Sequence, residues 1–492
     1  MLQNIEKMPI TLLSRVAPAL QKGSDRPQNG AGAMKSYVTV DQLATGADSL
    51  HRVGLDHDAR DHQAGTVRLG ISALLYVPAC LLTVLLLTPP VQAFFAAGGQ
   101  RWLYIASTAF GLSFSLTPLA GFLARRLRML DLPDARKLHA RATPLLGGAA
   151  VFVGFITSLL ANAILAPELI ALLSAAMILF VAGVFDDWRE VPAGLKLLIQ
   201  LVCTAMVMIS GIVLRILPAD WGAWGWIGNL LLTGIWIIGI TNAMNFFDGM
   251  DGLAAGLGAI IAFFLGVVAF QTNQPFLGWI SLAVLGSCLG FLPYNFRPGG
   301  SAVIFLGDAG STVIGFVLAC IAVYGDWAEG QPIVSLVSPV LIFWLLIFDM
   351  AHITCDRILT GKVRSFREWI EYVGKDHLHH RLADVLGSRR KAVLFIYLMG
   401  LCLGLSALVL RDSGMVDAML LILQAAILVV LITVLERRGR TIGAAGREDA
   451  ARPAGAVSEP PGAAAGWEAE NHRPAAQRGW PGAVPSAGGY HG

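Results

Sequence analysis

The stretch NAMNFFDGMDG, residues 242–252, decides how this chain is read, because two asparagines and two aspartates stand directly behind about eighteen apolar residues. Such a run is long enough to cross a bilayer as a helix. A charged side chain in hydrocarbon costs about 2.5–3.5 kcal/mol on insertion scales, so acids at the edge of a span mark a functional site by default. Asn242, Asn245, Asp248 and Asp251 recur every three residues. If the helix runs on through them, they share a surface and line one cleft. Gly249 and Gly252 permit close approach of backbone or ligand.

The remainder of the chain has the same character. Of 492 residues, 55% are hydrophobic and 14% charged, and the mean hydropathy is +0.64, outside the range of a soluble domain. The expectation is an all-α polytopic membrane protein of about twelve spans, near 70–94, 102–124, 146–166, 169–185, 195–216, 226–244, 252–271, 277–296, 309–325, 333–356, 392–410 and 416–435. A formal charge of +3 is too small to argue for nucleic acid. The six cysteines sit singly in apolar runs without metal or disulfide spacing, which reads them as small hydrophobes. Residues 1–68 read as a polar, partly disordered cytoplasmic extension, 69–95 as an extra N-terminal span, 102–435 as a multi-span domain and 436–492 as a Pro/Ala/Gly-rich disordered tail.

Charge sets the expected orientation. Arg125, Arg126, Arg128, Arg136, Lys137 and Arg141 crowd one loop, and 357–391 holds a second basic set, whereas the loops 217–225, 272–276 and 326–332 carry almost no basic residues. Basic loops face the cytoplasm, and twelve spans then place both termini there as well.

Four further polar clusters fall on that same face. Residues 131–148, DLPDARKLHARATPLLGG, offer Arg136, Lys137 and His139 as cations for phosphate. Asp186 and Asp187 close the fourth span, where paired acids can hold Mg²⁺ or take a proton. Asp308 stands in FLGDAGS, 305–311, a helix start suited to metal-bound pyrophosphate, with simple N-capping by Asp308 as the lesser alternative. His377, His379, His380 and Arg381 lie together in the second basic loop, as a phosphate patch or a zinc site.

The order D-x-P-x-x-R-K-x-H, P-x-x-G-G, DD, N-x-x-N-x-x-D-G-x-D-G-L-A, G-D-A-G-S and H-x-H-H resembles the polyprenyl-phosphate N-acetylhexosaminyl-1-phosphate transferases over residues 102–435. That family includes the phospho-N-acetylmuramoyl-pentapeptide transferase of peptidoglycan synthesis. The resemblance implies transfer of a sugar 1-phosphate from a UDP-sugar donor to undecaprenyl phosphate in the bacterial inner membrane, with release of UMP. It implies Mg²⁺, with Mn²⁺ able to replace it, and it admits a homodimer. Asp186, Asp187 and Asp308 would be catalytic, with Asp308, Asp187 and Asn245 at the metal. Asp186 is preferred for orienting or deprotonating the lipid phosphate. Asn242, Asp248, Asp251, His377, His379, His380, Arg381, Arg136, Lys137 and His139 would bind the nucleotide sugar and its phosphates, and the loop 364–370 would help to read the sugar. The basic loop with P-L-L-G-G resembles the branch that uses UDP-GlcNAc to begin O-antigen, teichoic acid or exopolysaccharide chains, ahead of the pentapeptide branch. A twelve-span transporter is the competing class, but transporters place polar groups near the bilayer centre, not at one interface.

Overall fold

A computed structural model describes residues 73–132, 142–164, 166–327, 332–365, 368, 369, 372, 374, 376–410 and 414–451. The N-terminal extension 1–68 and residues 452–492 of the tail lie outside these, as do Arg136, Lys137 and His139, whereas 436–451, read as part of a disordered tail, continue the last helix. Among the described residues the chain is helical apart from one short hairpin. The helices are α1 (Ala73–Leu86), α2 (Pro89–Ala97), α3 (Arg101–Leu127), α4 (Gly147–Ala161), α5 (Pro167–Trp188), α6 (Ala193–Ile209), α7 (Gly222–Phe246), α8 (Leu253–Gln271), α9 (Pro275–Asn295) and α10 (Gly307–Tyr324). They continue with α11 (Pro332–Ile342), α12 (Trp344–Leu359), α13 (Leu378–Leu386), α14 (Arg389–Val409) and α15 (Met415–Ala451). Proline opens α2, α5 and α9, where its missing N–H breaks no helical bond.

Eight helices are long and apolar enough to span a membrane, and up to ten spans result if each of two bent pairs counts once. The run 70–94 is therefore not one straight helix: α1 and α2 meet at 72°, where Pro89 and Pro90 cannot continue the preceding turn. The run 333–356 is likewise broken, α11 and α12 meeting at 75° about Phe343. The segments 146–166 and 195–216 form the shorter apolar helices α4 and α6.

The centre of the bundle is α10, packed on α5 and α7 with α4 and α8 behind, while α9 lies between α3 and α8. Gly290 of α9 faces the α3 backbone so closely that a Cβ would run into Phe110 and Phe114. Small residues of this kind let membrane helices pack backbone to backbone. The hairpin pairs β1 (Leu130–Asp131) with β2 (Thr143–Pro144), Asp131 opposite Thr143, and so closes the loop that carries the first basic cluster.

Candidate active site

The site is assembled around the first turn of α10. Residues just before it are stitched to the hairpin and to the start of α4: Phe305 N donates to Pro144 O at 2.9 Å, Gly147 N to Phe305 O at 3.0 Å and Gly148 N to Leu306 O at 2.7 Å. The chain then turns through Gly307 at φ +76°, a conformation that glycine adopts without a Cβ penalty. A Cβ there would also fall 2.5 Å from Asp187 Oδ2. Asp187, at the end of α5, accepts from Asp308 N at 2.8 Å and from Ala309 N at 3.2 Å. An N-terminal turn exposes unpaired N–H groups and positive partial charge, so a carboxylate brought from another helix satisfies both. Asp308 itself is inside the first turn, free of the capping duty that its position suggested.

The Asp308 carboxylate is 37% exposed. Its Oδ1 accepts from Asn245 Nδ2 at 3.1 Å and its Oδ2 from Lys196 Nζ at 3.0 Å. Asn245 also donates to Ser311 Oγ at 3.0 Å. Lys196, on α6, pairs with Asp186 as well. Asp186 is only 8% exposed, and its Oδ1 accepts from Val191 N at 2.7 Å. It is thus tied to Lys196 and does not line the cleft. Lys196 was missed in the sequence, although a lone cation inside an otherwise apolar helix is the signal that would have found it.

The NAMNFFDGMDG stretch is helical only through Phe246; the next helix starts at Leu253. The expected single helical surface is therefore replaced by a turn, and three of its four polar residues, Asn245, Asp248 and Asp251, still line the cleft. Asn242 faces α6 instead, donating to Gln200 Oε1 at 2.7 Å. Asp251 Oδ2 accepts from Ala302 N at 2.8 Å, and Asn295, another residue missed in the sequence, accepts from Gly252 N at 2.7 Å and donates to Ile304 O at 2.9 Å. The turn is thereby fastened to the segment leading into α10. Burial pushes the Asp248 carboxyl well above the ordinary carboxylate range, with the charges of Asp308 and Asp187 acting in the same direction and the Gly307 backbone N–H opposing them.

The four members of the histidine cluster separate. His380 lines the cleft. His377 is buried with Nδ1 2.8 Å from Asp349 Oδ2, and Arg381 is buried with Nη1 3.3 Å from His352 Nδ1. His379 is buried against Phe247 beneath Gly249, and neither of its ring nitrogens has a hydrogen-bond partner among the described residues. Burial, then the charges of His380, His377 and Arg381, hold its pKa well below the ordinary histidine value. In the 364–370 loop, Trp369 Nε1 donates to Thr354 Oγ1 at 3.2 Å, and none of that loop's described residues lines the cleft.

The cleft has a volume of about 550 Å³. Asp131, Asp187, Asp248, Asp251 and Asp308 line it together with Arg297, His380, Arg389 and Arg390. Arg390 holds the rim by donating to the carbonyls of Arg297 and Pro298, each at 2.6 Å. Among the described residues no three Asp, Glu, His or Cys side chains stand together as a formed metal site, and the carboxylates that line the cleft are hard oxygen donors of the type that Mg²⁺ or Mn²⁺ takes. A cleft lined by both carboxylates and cations can take a diphosphate together with a divalent cation.

Fold and site together define a predominantly helical, multi-pass membrane protein with a cleft lined by acids and cations at its helix ends. The sequence pattern of glycosyl transferase family 4 matches residues 169–326. The chain is 35% identical over 303 residues, 61% of its own length and 82% of the relative's, to the Bacillus subtilis (strain 168) protein named "Probable undecaprenyl-phosphate N-acetylglucosaminyl 1-phosphate transferase". It is 32% identical over 328 residues, 60% of its length, to the decaprenyl-phosphate N-acetylglucosaminephosphotransferase of Mycobacterium leprae (strain TN), covering 80% of that protein. It is 28% identical over 285 residues, 56% of its length, to the undecaprenyl-phosphate alpha-N-acetylglucosaminyl 1-phosphate transferase of Yersinia pestis, covering 75% of it. The chain belongs to glycosyl transferase family 4, the family of these phospho-sugar transferases.

Proposed function

We propose that the protein transfers N-acetylglucosamine 1-phosphate from UDP-GlcNAc to undecaprenyl phosphate, releasing UMP and leaving undecaprenyl-pyrophosphoryl-GlcNAc. The observation that carries this reading is that Asp187, Asn245, Asp248 and Asp308, gathered about the start of α10, line one cleft with His380, Arg389 and Arg390. The names of the relatives point to the same acceptor and donor classes. An oxygen of the lipid phosphate attacks the phosphorus that carries the sugar, and the bond from that phosphorus to the bridging oxygen breaks. UMP leaves with the electron pair. Both reactants are anionic, so positioning and charge neutralisation supply most of the catalysis.

Asp308 and Asp187, with Asn245, are the residues that would hold Mg²⁺, which when bound supplies charge neutralisation at the diphosphate. Lys196 adds a fixed cation beside Asp308, and Asp186 orients it. Asp248 and Asp251 support the nucleotide sugar, and His380 with the arginines of the rim meets the diphosphate. The phosphate monoester of the acceptor has its second pKa near 6, about the value for phosphomonoesters, so little base catalysis is needed.

Counting each bent pair once and adding the shorter helices α4 and α6 allows twelve crossings, and with the basic loops inside, the cleft and both termini would face the cytoplasm from a bacterial inner membrane. The product would begin an O-antigen, teichoic acid or exopolysaccharide chain. The cleft residues sit at helix ends, which does not favour a transport path through the bilayer centre. The test is purified protein with undecaprenyl phosphate, Mg²⁺ and a panel of UDP-sugars, following UMP release: preference for UDP-GlcNAc supports the reading, preference for another UDP-HexNAc overturns the sugar assignment, and turnover only with the UDP-MurNAc-pentapeptide moves the protein to the peptidoglycan branch.

A further inference from the structure

The helix α12 carries a strip of polar residues that no site residue read from the sequence explains. Asp349 and His352, three apart, lie on one helix face; Asp349 and Arg357 grip the segment that leads into α13, and His352 meets Arg381 within α13. Asp349 is fully buried, and both its oxygens are used: Oδ2 meets His377 Nδ1 at 2.8 Å and Oδ1 accepts from Leu378 N at 2.7 Å. Leu378 is the first residue of α13, whose own N-cap, His377, gives no side-chain cap. Asp349 therefore caps a helix on another segment, as Asp187 does for α10. Arg381 Nη2 lies 3.8 Å from the same Asp349 Oδ1. Lower on α12, Arg357 donates to Asp376 through Nε at 2.9 Å and Nη2 at 2.8 Å, with its guanidinium over the Tyr372 ring at 4.4 Å.

These contacts fix the rotation and depth of α13. His377 stacks on Phe246 at 5.0 Å and His379 rests on Phe247 at 5.5 Å, so the end of α7 forms the other wall. With His377 and His379 held inward, His380 is the histidine left facing the cleft. We propose that Asp349 is a positioning residue for the sugar-phosphate transfer: it caps α13 and holds His377, and by doing so places His380 against the diphosphate of the donor. This rests on the function proposed above. It explains an acid buried in an apolar stretch, FWLLIFDMAHI, where an ionisable group without a role is expensive.

The experiment uses the full-length protein in detergent, with Asp349→Asn and Asp349→Leu. Amide hydrogen exchange over 376–386 is expected to speed up at least about tenfold, and the KM for UDP-GlcNAc to rise about 10–100-fold, the usual cost of losing a residue that orients a ligand. The KM for undecaprenyl phosphate stays unchanged. Because Asp349 acts through His380, adding Asp349→Asn to His380→Ala should cost less than about twofold beyond His380→Ala alone. Unchanged exchange, independent multiplication of the two effects, or a fall in kcat with both KM values intact would each overturn the proposal. Should the Asp349 variants not fold, Arg357→Lys loosens the same docking through Asp376, and the same two readouts decide. If the wild-type protein releases no UMP, the reaction assignment falls, while the exchange result still decides whether Asp349 docks α13.

Discussion

Lys196 Nζ lies 3.0 Å from Asp308 Oδ2, although the two residues are 112 positions apart and belong to different helices. The same ammonium pairs with Asp186, so one cation ties the acid at the end of α5 to the acid at the start of α10. Removing it by Lys196→Met should lower kcat/KM about 10²–10³-fold, as loss of one preorganised charge donor does elsewhere. Lys196→Arg should recover part of this. Steady-state kinetics on the purified variants checks it, and a Met variant with wild-type kcat/KM removes Lys196 from the reaction.

Asp308→Asn keeps size and one hydrogen-bond acceptor but removes the charge that faces the cleft. Transfer should fall below detection while the protein still purifies as a monodisperse species with near wild-type melting behaviour. Residual turnover above about a tenth of wild type would take Asp308 out of the residues proposed to hold Mg²⁺.

Gly307→Ala tests whether the turn and the Asp187 cap depend on each other. The positive φ costs a non-glycine residue about 1–2 kcal/mol, and the new Cβ would press on the Asp187 carboxylate at 2.5 Å. The variant should lose both melting temperature and activity, with activity lost more severely because Asp308 moves with its helix. An active, equally stable variant would mean that the cap is dispensable.

His379 gives a pH signature. Its folded pKa lies well below the ordinary value, chiefly through burial, so both folded and unfolded chains hold it neutral above about pH 6.5. As pH falls below that, the unfolded chain takes a proton that the folded one refuses, and stability is lost by at most about 1.4 kcal/mol per pH unit. His379→Gln should flatten this part of the stability curve between pH 6.5 and 5, which thermal melts in detergent would reveal; parallel curves for the two proteins refute the assignment.

The polar clusters at span ends were legible because an acid or a histidine group beside twenty apolar residues has few structural explanations, and Asp187, Asn245, Asp248, Asp251, Asp308 and His380 do converge. What the sequence concealed was direction. Three-residue spacing suggested that Asn242 belongs with Asn245, but the helix points it at Gln200. Nothing in His-x-His-His tells which ring turns inward, since that is set by Asp349 and by the aromatic end of α7. The spans 70–94 and 333–356 read as continuous because hydropathy is blind to a bend, although the Pro89-Pro90 pair announces the first. Lys196 and Asp349 each stood alone in apolar sequence, where a single charge carries a signal that motif spacing does not register.

In the proposed reaction phosphorus moves with the sugar, which UDP-GlcNAc labelled with ³²P at the β-phosphate can show. With purified protein, Mg²⁺ and undecaprenyl phosphate, the label should enter the lipid phase in step with release of unlabelled UMP, and neither should occur with Asp308→Asn. Label that remains in the water phase as UDP while GlcNAc reaches the lipid would contradict the account, because the sugar would then have been transferred without its phosphate.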